Sequence, residues 1–454
     1  MMLVTLLFLI APGDWVPARW GSGDPKTLEL LREGRVNCLL LEAENWNGRF
    51  VEAAAGRHLA ILGVIHPGGT AIELARRAVR TKLNGIVLEG DFDGTIADRI
   101  RGEAAGKLTV VELPSRGRMK LDSDDPIVGT SQALWPGIEI QHGGTVSTGP
   151  TSAPWINTNT GFLRFVGAAT KSVVWLGERP PPNTVLPADR YAVAIADAAI
   201  AGARWIVALD HDLETRLFAG EARALNHWKQ INAYLRYFEE KREWRAYRPY
   251  GQLAVVEDTG SGGLLSSGLL DMLAVQHTAA RALPTRRLSS DSLHGARVVL
   301  NVDAASLVEQ QRRDLEDFAS GGGKVVNPPA GWRFPEIAAS AMTPTRREMD
   351  RIQPVWEATY NATVRKNFGA RTFNTSSIIF DVRARPDAKS ILVHLLNYTD
   401  YPAEDIALQV LGSWHRARLY TPEGSVRELP VYPVKDGTGI DVNRIAVLGT
   451  VVVE

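Results

Sequence analysis

A chain of 454 residues is too long for one ordinary hydrophobic core, so two or three domains are expected. Its 51 Lys and Arg balance 51 Asp and Glu, which excludes the basic footprint of a nucleic-acid-binding protein. The one cysteine, Cys38, excludes an intrachain disulfide and a Cys-rich zinc site, and no stretch is long and apolar enough to span a membrane.

The apolar run Met1–Ile10 reads in two ways, as the remnant of a secretory signal within residues 1–12 or as a first buried strand. The signal reading would place the protein in the periplasm or outside the cell. From residue 13 to 248, short apolar runs alternate with helix-patterned segments. The expected strands are Trp15–Trp20, Cys38–Glu42, Leu59–His66, Gly85–Leu88, Leu108–Val111, Trp135–Ile140, Val173–Leu176 and Trp205–Leu209. Asp24 and Pro25 open the first connecting helix as N-cap and first helical residue. That rhythm is the signature of a parallel (β/α)8 TIM barrel, and many of its runs end on a carboxylate. A final helix, Leu225–Phe238, closes it.

From 249 to 335 the pattern is strand Leu253–Glu257, helix Leu269–Ala282, strand Arg297–Asp303, helix Glu309–Phe318 and a strand after Gly321-Gly-Gly323. That order predicts a small flavodoxin-like α/β domain. Residues 336–369 read as a linker. From 370 to 454 the short alternating runs Ser377–Arg383, Ile391–Tyr398, Arg416–Tyr420 and Ile445–Glu454 predict a β-sandwich.

Chemistry in a parallel barrel gathers at strand C-termini, and two placed carboxylates are the minimum for cleaving a glycosidic bond. Glu42, Glu89, Glu178 and Asp210 all stand at such ends. Glu42, Glu44 and Trp46 are candidate sugar contacts, as are His66, His211 and Asp212. Twelve Trp residues supply indole faces for stacking on sugar rings, although most Trp in any protein are core. The loose, Gly- and Thr-rich stretch from Pro114 to Gly161 reads as a loop at the barrel mouth, carrying Trp155, Asn157 and Asn159 to substrate. No P-loop, dinucleotide fingerprint or metal-ligand spacing is present, so neither cofactor nor metal is expected. The turn Gly260–Gly263 is a weak anion-cradle signal.

Barrel, α/β domain and β-sandwich follow the order of β-galactosidase-like glycoside hydrolases with a trimerisation domain after the barrel. The segment Ala296-Arg-Val-Val-Leu-Asn-Val-Asp303 through Gly321-Gly-Gly-Lys-Val-Val326 is similar to that middle domain. Val393-His-Leu-Leu-Asn-Tyr398 and Ala417-Arg-Leu-Tyr-Thr-Pro-Glu-Gly424 resemble the C-terminal β-domain. The resemblance implies an acid/base at the end of strand four and a nucleophile at the end of strand seven, here Glu89 and Glu178. At a separation of about 5 Å they would make a retaining enzyme, with the pKa of Glu89 raised by Asp91 and Asp93. It also implies an oligomer formed through the middle domain.

Leu88 precedes Glu89 where those enzymes carry Asn, so Asp91 with Asp210 is a second candidate pair. A non-catalytic saccharide-binding barrel is a second functional reading, and a metal-dependent barrel hydrolase a third. The middle domain also resembles class I glutamine amidotransferases, but no cysteine follows Cys38 to serve as their nucleophile.

Overall fold

Strands buried on both faces read as continuous apolar runs, and the first half of the chain folds accordingly. The computed structural model describes residues 10–140, 146–148, 156–258, 268–333, 342 and 345–454. Residues 1–9, Trp155 and the Gly260–Gly263 turn lie outside the described residues. The parallel strands are β1 (Pro17–Arg19), β2 (Cys38–Leu41), β3 (Ala60–Ile65), β4 (Gly85–Glu89), β5 (Thr109–Leu113), β6 (Ile127–Thr130), β7 (Val173–Leu176) and β8 (Arg204–Trp205). β1 to β5 pair in sequence order, and β7 lies between β6 and β8 in a second sheet.

The two sheets are joined at a parallel bridge between Ala18 and Val207, where Arg19 N–H donates to Val207 O at 2.7 Å. At the other margin Thr130 Oγ1 donates to Pro114 O at 2.7 Å, and Ser131 Oγ to Leu113 O at 3.2 Å. One apolar cluster draws on or beside every strand, through Trp15, Leu40, Leu62, Val87, Val111, Ile127, Trp175 and Ile206.

Helices α1 (Gly48–Ala55), α2 (Ala71–Arg80) and α3 (Gly94–Ala104) connect β2 through β5, and α4 (His211–Phe218) and α5 (Ala222–Glu240) follow β8. Asn47, Asp93 and Asp210 cap α1, α3 and α4 by accepting backbone N–H groups. Pro25 opens a 3-10 helix, Pro25–Leu31, and Asp24 accepts from Lys26 N–H.

Two strands differ from the sequence expectation: the eighth, expected over Trp205–Leu209, is confined to Arg204–Trp205, with Val207 in an isolated bridge. The sixth is Ile127–Thr130, while Ile138–Ile140 pairs antiparallel with Val146–Thr148. Trp135 and Ile138 are buried apolar residues and so imitate a strand, whereas Ile127-Val-Gly-Thr130 offers only two apolar side chains to the eye.

The chain resolves into two compact units that do not follow a single cut. The first holds residues 1–132, 172–185 and 204–235, and the second holds 133–171, 186–203 and 236–454. All eight parallel strands belong to the first.

The second unit contains a four-stranded parallel sheet in the order Arg281–Pro284, Leu253–Glu257, Val298–Asn301, Lys324–Val326. The helix expected to run to Ala282 ends at Val275, and Arg281–Pro284 is a strand. Six-stranded and four-stranded sheets, antiparallel throughout, share one apolar core that includes Phe380, Val393, Leu408, Ile440 and Val451. The stretch read as a linker carries the helix Arg346–Thr363, opened by a capping box between Thr345 and Glu348.

Two helices that lie between β6 and β8 in sequence, Thr160–Ala169 and Ala188–Ile200, belong to this second unit. Buried polar bonds hold them there. Asp197, fully buried, accepts from Thr158 Oγ1 and Tyr398 Oη at 2.6 Å each, and from Asn159 Nδ2 at 2.8 Å. Arg190 Nη1 donates to Tyr398 O at 3.0 Å. Arg164 Nε and Arg383 Nε donate to the two oxygens of Asp381 at 3.0 and 2.8 Å.

Candidate functional site

The C-terminal ends of the parallel strands in the first unit carry an ion-pair cluster and, beside it, a cavity. Arg19 closes β1 and Glu89 closes β4, three strands away in the same sheet. Flat strands spaced about 4.8 Å apart would set them about 14 Å from one another. Instead Arg19 Nη1 and Nη2 donate to Glu89 Oε2 and Oε1 at 2.8 and 2.7 Å, so the two side chains meet across the ends of β2 and β3. Both residues are about nine-tenths buried.

Burial alone would push the Glu89 carboxyl up. The Arg19 charge and its paired hydrogen bonds outweigh that, with help from Arg179 and His66, and hold it below the ordinary glutamate value. This corrects the expectation of a raised pKa at Glu89. The neighbours meant to raise it are engaged elsewhere: Asp93 caps α3, and Asp91 accepts from Ser115 N–H at 2.9 Å.

Glu42, at the end of β2, receives Arg179 on Oε1 and stands 3.1 Å from His66 Nε2 on Oε2. Ligating atoms of Glu42, His66 and Glu89 lie within 4.8 Å of one another, a convergence the sequence spacing does not reveal because three different strands supply it. A metal held there would have to displace guanidinium groups already bonded to both carboxylates. The donor set therefore fits an ion-pair network better than a cation site.

The cavity, of about 510 Å³, is lined by Arg19, Trp20, Gly21, Leu40, Glu42, residues 179–185, residues 208–212 and Glu214. Asp210 is buried and accepts from Leu213 N–H at 2.9 Å as the N-cap of α4. His211 is exposed at the head of that helix, and Asp212 pairs with Arg216 Nη2 at 2.6 Å. Glu214 Oε1 accepts from Gly21 N–H at 3.0 Å. Burial pushes the Glu214 carboxyl up, and Asp210 adds to this against the lowering effects of Gly21 N–H, His211 and Arg179.

Of the residues expected at the site, the structure gathers Glu42, His66 and Glu89 into the cluster and Glu42, Asp210, His211 and Asp212 around the cavity. Glu178, two residues past β7, is half-buried and engaged with another group, and it does not line the cavity. Glu44 is exposed on a short 3-10 turn. Trp46 is buried, donates Nε1–H to Leu41 O at 2.8 Å and lies under Arg77, so it is core and not a stacking platform.

Asn157 and Asn159 belong to the second unit and are structural. Asn157 Nδ2 donates to Ile138 O at 2.9 Å, and Asn159 is fully buried between Leu134 and Asp197. Sequence reasoning missed Arg19, Arg179 and Glu214. Glu214 carried one usable signal: it lies four residues after the strand-end Asp210, and so on the first turn of the helix that leaves the mouth.

No protein-family model matches the sequence, and no curated protein matches it. Solved structures do. Alpha-L-fucosidase isoenzyme 2 from Paenibacillus thiaminolyticus aligns over 97% of this chain and 99% of its own, with a TM-score of 0.63 at 12% identity. The cold-adapted β-galactosidase from Rahnella sp. R3 aligns over 95% and 98%, with a TM-score of 0.50 at 8% identity. At such identities the likeness is one of fold, and the chain shares that fold with glycoside hydrolases over nearly its whole length.

Proposed function

We propose that the protein is a glycosidase-type hydrolase that cleaves an oligo- or polysaccharide, outside the cytoplasm, in the cavity beside β1, β2 and β8. The observation that carries this reading is the cavity itself: Glu42, Asp210 and Glu214 border one pocket at strand ends, in a fold shared with glycoside hydrolases. Glycoside cleavage needs carboxyls in opposite protonation states, and opposite environments stand close together here. Arg19 keeps Glu89 ionised, whereas burial favours a proton on Glu214.

Retained anomeric configuration is the expected course, read by proton NMR on the first-formed sugar. Hydrolysis of a panel of aryl α- and β-glycosides by the wild type, Glu42→Gln, Glu89→Gln and Glu178→Gln tests the reading. Turnover by the wild type that falls at least ~100-fold in one of the variants supports it. Full activity in all three moves the chemistry away from these carboxylates.

A second reading, a saccharide-binding protein without turnover, draws on the same cluster. Guanidinium groups bond to both Glu89 and Glu42, an arrangement suited to holding charge still. Saccharide binding by calorimetry with no hydrolysis of any panel member would favour it.

A further inference from the structure

Glu214 sits where only a glycine at position 21 leaves room. A Cβ added to Gly21 would lie 2.4 Å from Glu214 Oε2 and 2.9 Å from Oε1. The backbone N–H of Gly21 donates to Oε1 at 3.0 Å, which fixes the carboxyl against the segment that follows β1. Oε2 has no hydrogen-bond partner among the described residues. The charged groups facing this carboxyl are Arg179 from the segment after β7, and Asp210 and His211 at the head of α4. All of them line the same cavity.

Glu89 is placed in the opposite way. Both of its oxygens accept from Arg19, so it has neither a proton to give nor a free direction in which to give it. Asp210 is anchored as a helix cap, and Glu42 accepts from Arg179.

We propose that Glu214 is the proton donor to the leaving oxygen of a glycoside bound in this cavity. The inference rests on the hydrolase reading above. As the bond between the anomeric carbon and the leaving oxygen breaks, its electron pair stays on that oxygen, which takes the proton of Glu214 and departs as an alcohol. With retention, a carboxylate takes the anomeric carbon as the leaving oxygen departs. Water then supplies hydroxide to that carbon, the carboxylate is released, and the remaining proton of the water reloads Glu214. Burial, the largest influence on Glu214, favours the protonated form that the step requires.

The test compares the wild type, Glu214→Gln and Gly21→Ala on a phenyl glycoside and a dinitrophenyl glycoside of one sugar, from about pH 4 to 9. A phenyl leaving group needs a proton, whereas dinitrophenolate departs without one. Glu214→Gln is expected to lose ~100- to 10,000-fold on the phenyl glycoside, keep most of its rate on the dinitrophenyl glycoside, and lose the alkaline limb of its pH profile. Gly21→Ala keeps the carboxyl but moves it from its seat, so it should lower phenyl glycoside turnover in the same direction and shift the alkaline limb.

Equal losses on both substrates, or an alkaline limb unchanged in Glu214→Gln, would overturn the proposal. Wild-type turnover that Glu214→Gln retains on both substrates overturns it while leaving the hydrolase reading in place. No turnover of either glycoside by the wild type overturns both.

Discussion

Arginine and carboxylate meet at two buried places in this chain, with different results. In the second unit Arg164 and Arg383 flank Asp381, and the three side chains are at most 10% exposed. Arg164 Nη2 also donates to Phe380 O at 2.6 Å, and Arg383 Nε to Ile200 O at 2.9 Å, so the bonds tie helices to strand. In the first unit Arg19 and Glu89 form an equally close pair at the rim of a cavity, with Arg179, His66 and Glu42 around it. The chemistry is the same and the location differs. A pair enclosed by helix and sheet acts as a staple, whereas one at strand ends sets the charge of a mouth.

The largest effect is expected from Asp381→Asn. It leaves two buried guanidinium groups facing a neutral amide, and should cost ~3–5 kcal/mol in chemical denaturation of the full chain. A loss below about 1 kcal/mol would mean that the staple contributes little, and the contrast would collapse.

Arg19→Met comes next, at about 3 kcal/mol near neutrality, because Glu89 would remain buried without its main counter-charge. Here the pH dependence separates the two places. Pairing holds the folded-state pKa of Glu89 below its unfolded value near 4.5, so its stabilisation is present above that value and fades as the pH falls through the folded value. The deficit of Arg19→Met should therefore be greatest at neutral pH and shrink in acid. A deficit independent of pH would break this account.

A third test concerns a buried carboxylate in acidic company. Glu257 is buried near Asp303 and Asp271, and burial followed by those two charges pushes its pKa up to about 8. Between about 4.5 and 8 the folded chain keeps a proton that the unfolded chain has lost, so stability declines as pH rises across that window. Glu257→Gln should flatten this decline in a series of melting temperatures. A slope identical to wild type would show that Glu257 is not the group responsible.

Much of the first unit was legible. Runs such as Cys38–Leu41 and Gly85–Glu89 are apolar without alternation, as strands buried on both faces must be, and of the strand-end carboxylates Glu42 and Asp210 border the cavity. What remained hidden was pairing across the sheet. Nothing local tells Glu89 that Arg19 lies within bonding distance, and this one contact reverses the pKa direction expected for it. Glu214 reads locally as an acidic residue complementing a helix N-terminus, and only the missing Cβ of Gly21 shows that it has a seat. The helix Arg346–Thr363 announced itself through Thr345 and Glu348, but Pro354 and a polar composition made the stretch read as a linker.

The bonds between Asp197, Arg190 and Tyr398 bear on how the chain is made. A ribosome delivers residues 190 and 197 about two hundred positions before residue 398, which supplies a hydroxyl to one and a carbonyl to the other. Until then each lacks one of its partners in the finished protein, while Thr158 and Asn159 for Asp197 and Asp189 for Arg190 are already made. The polar contacts of the second unit are therefore completed only when its last sheet has been made.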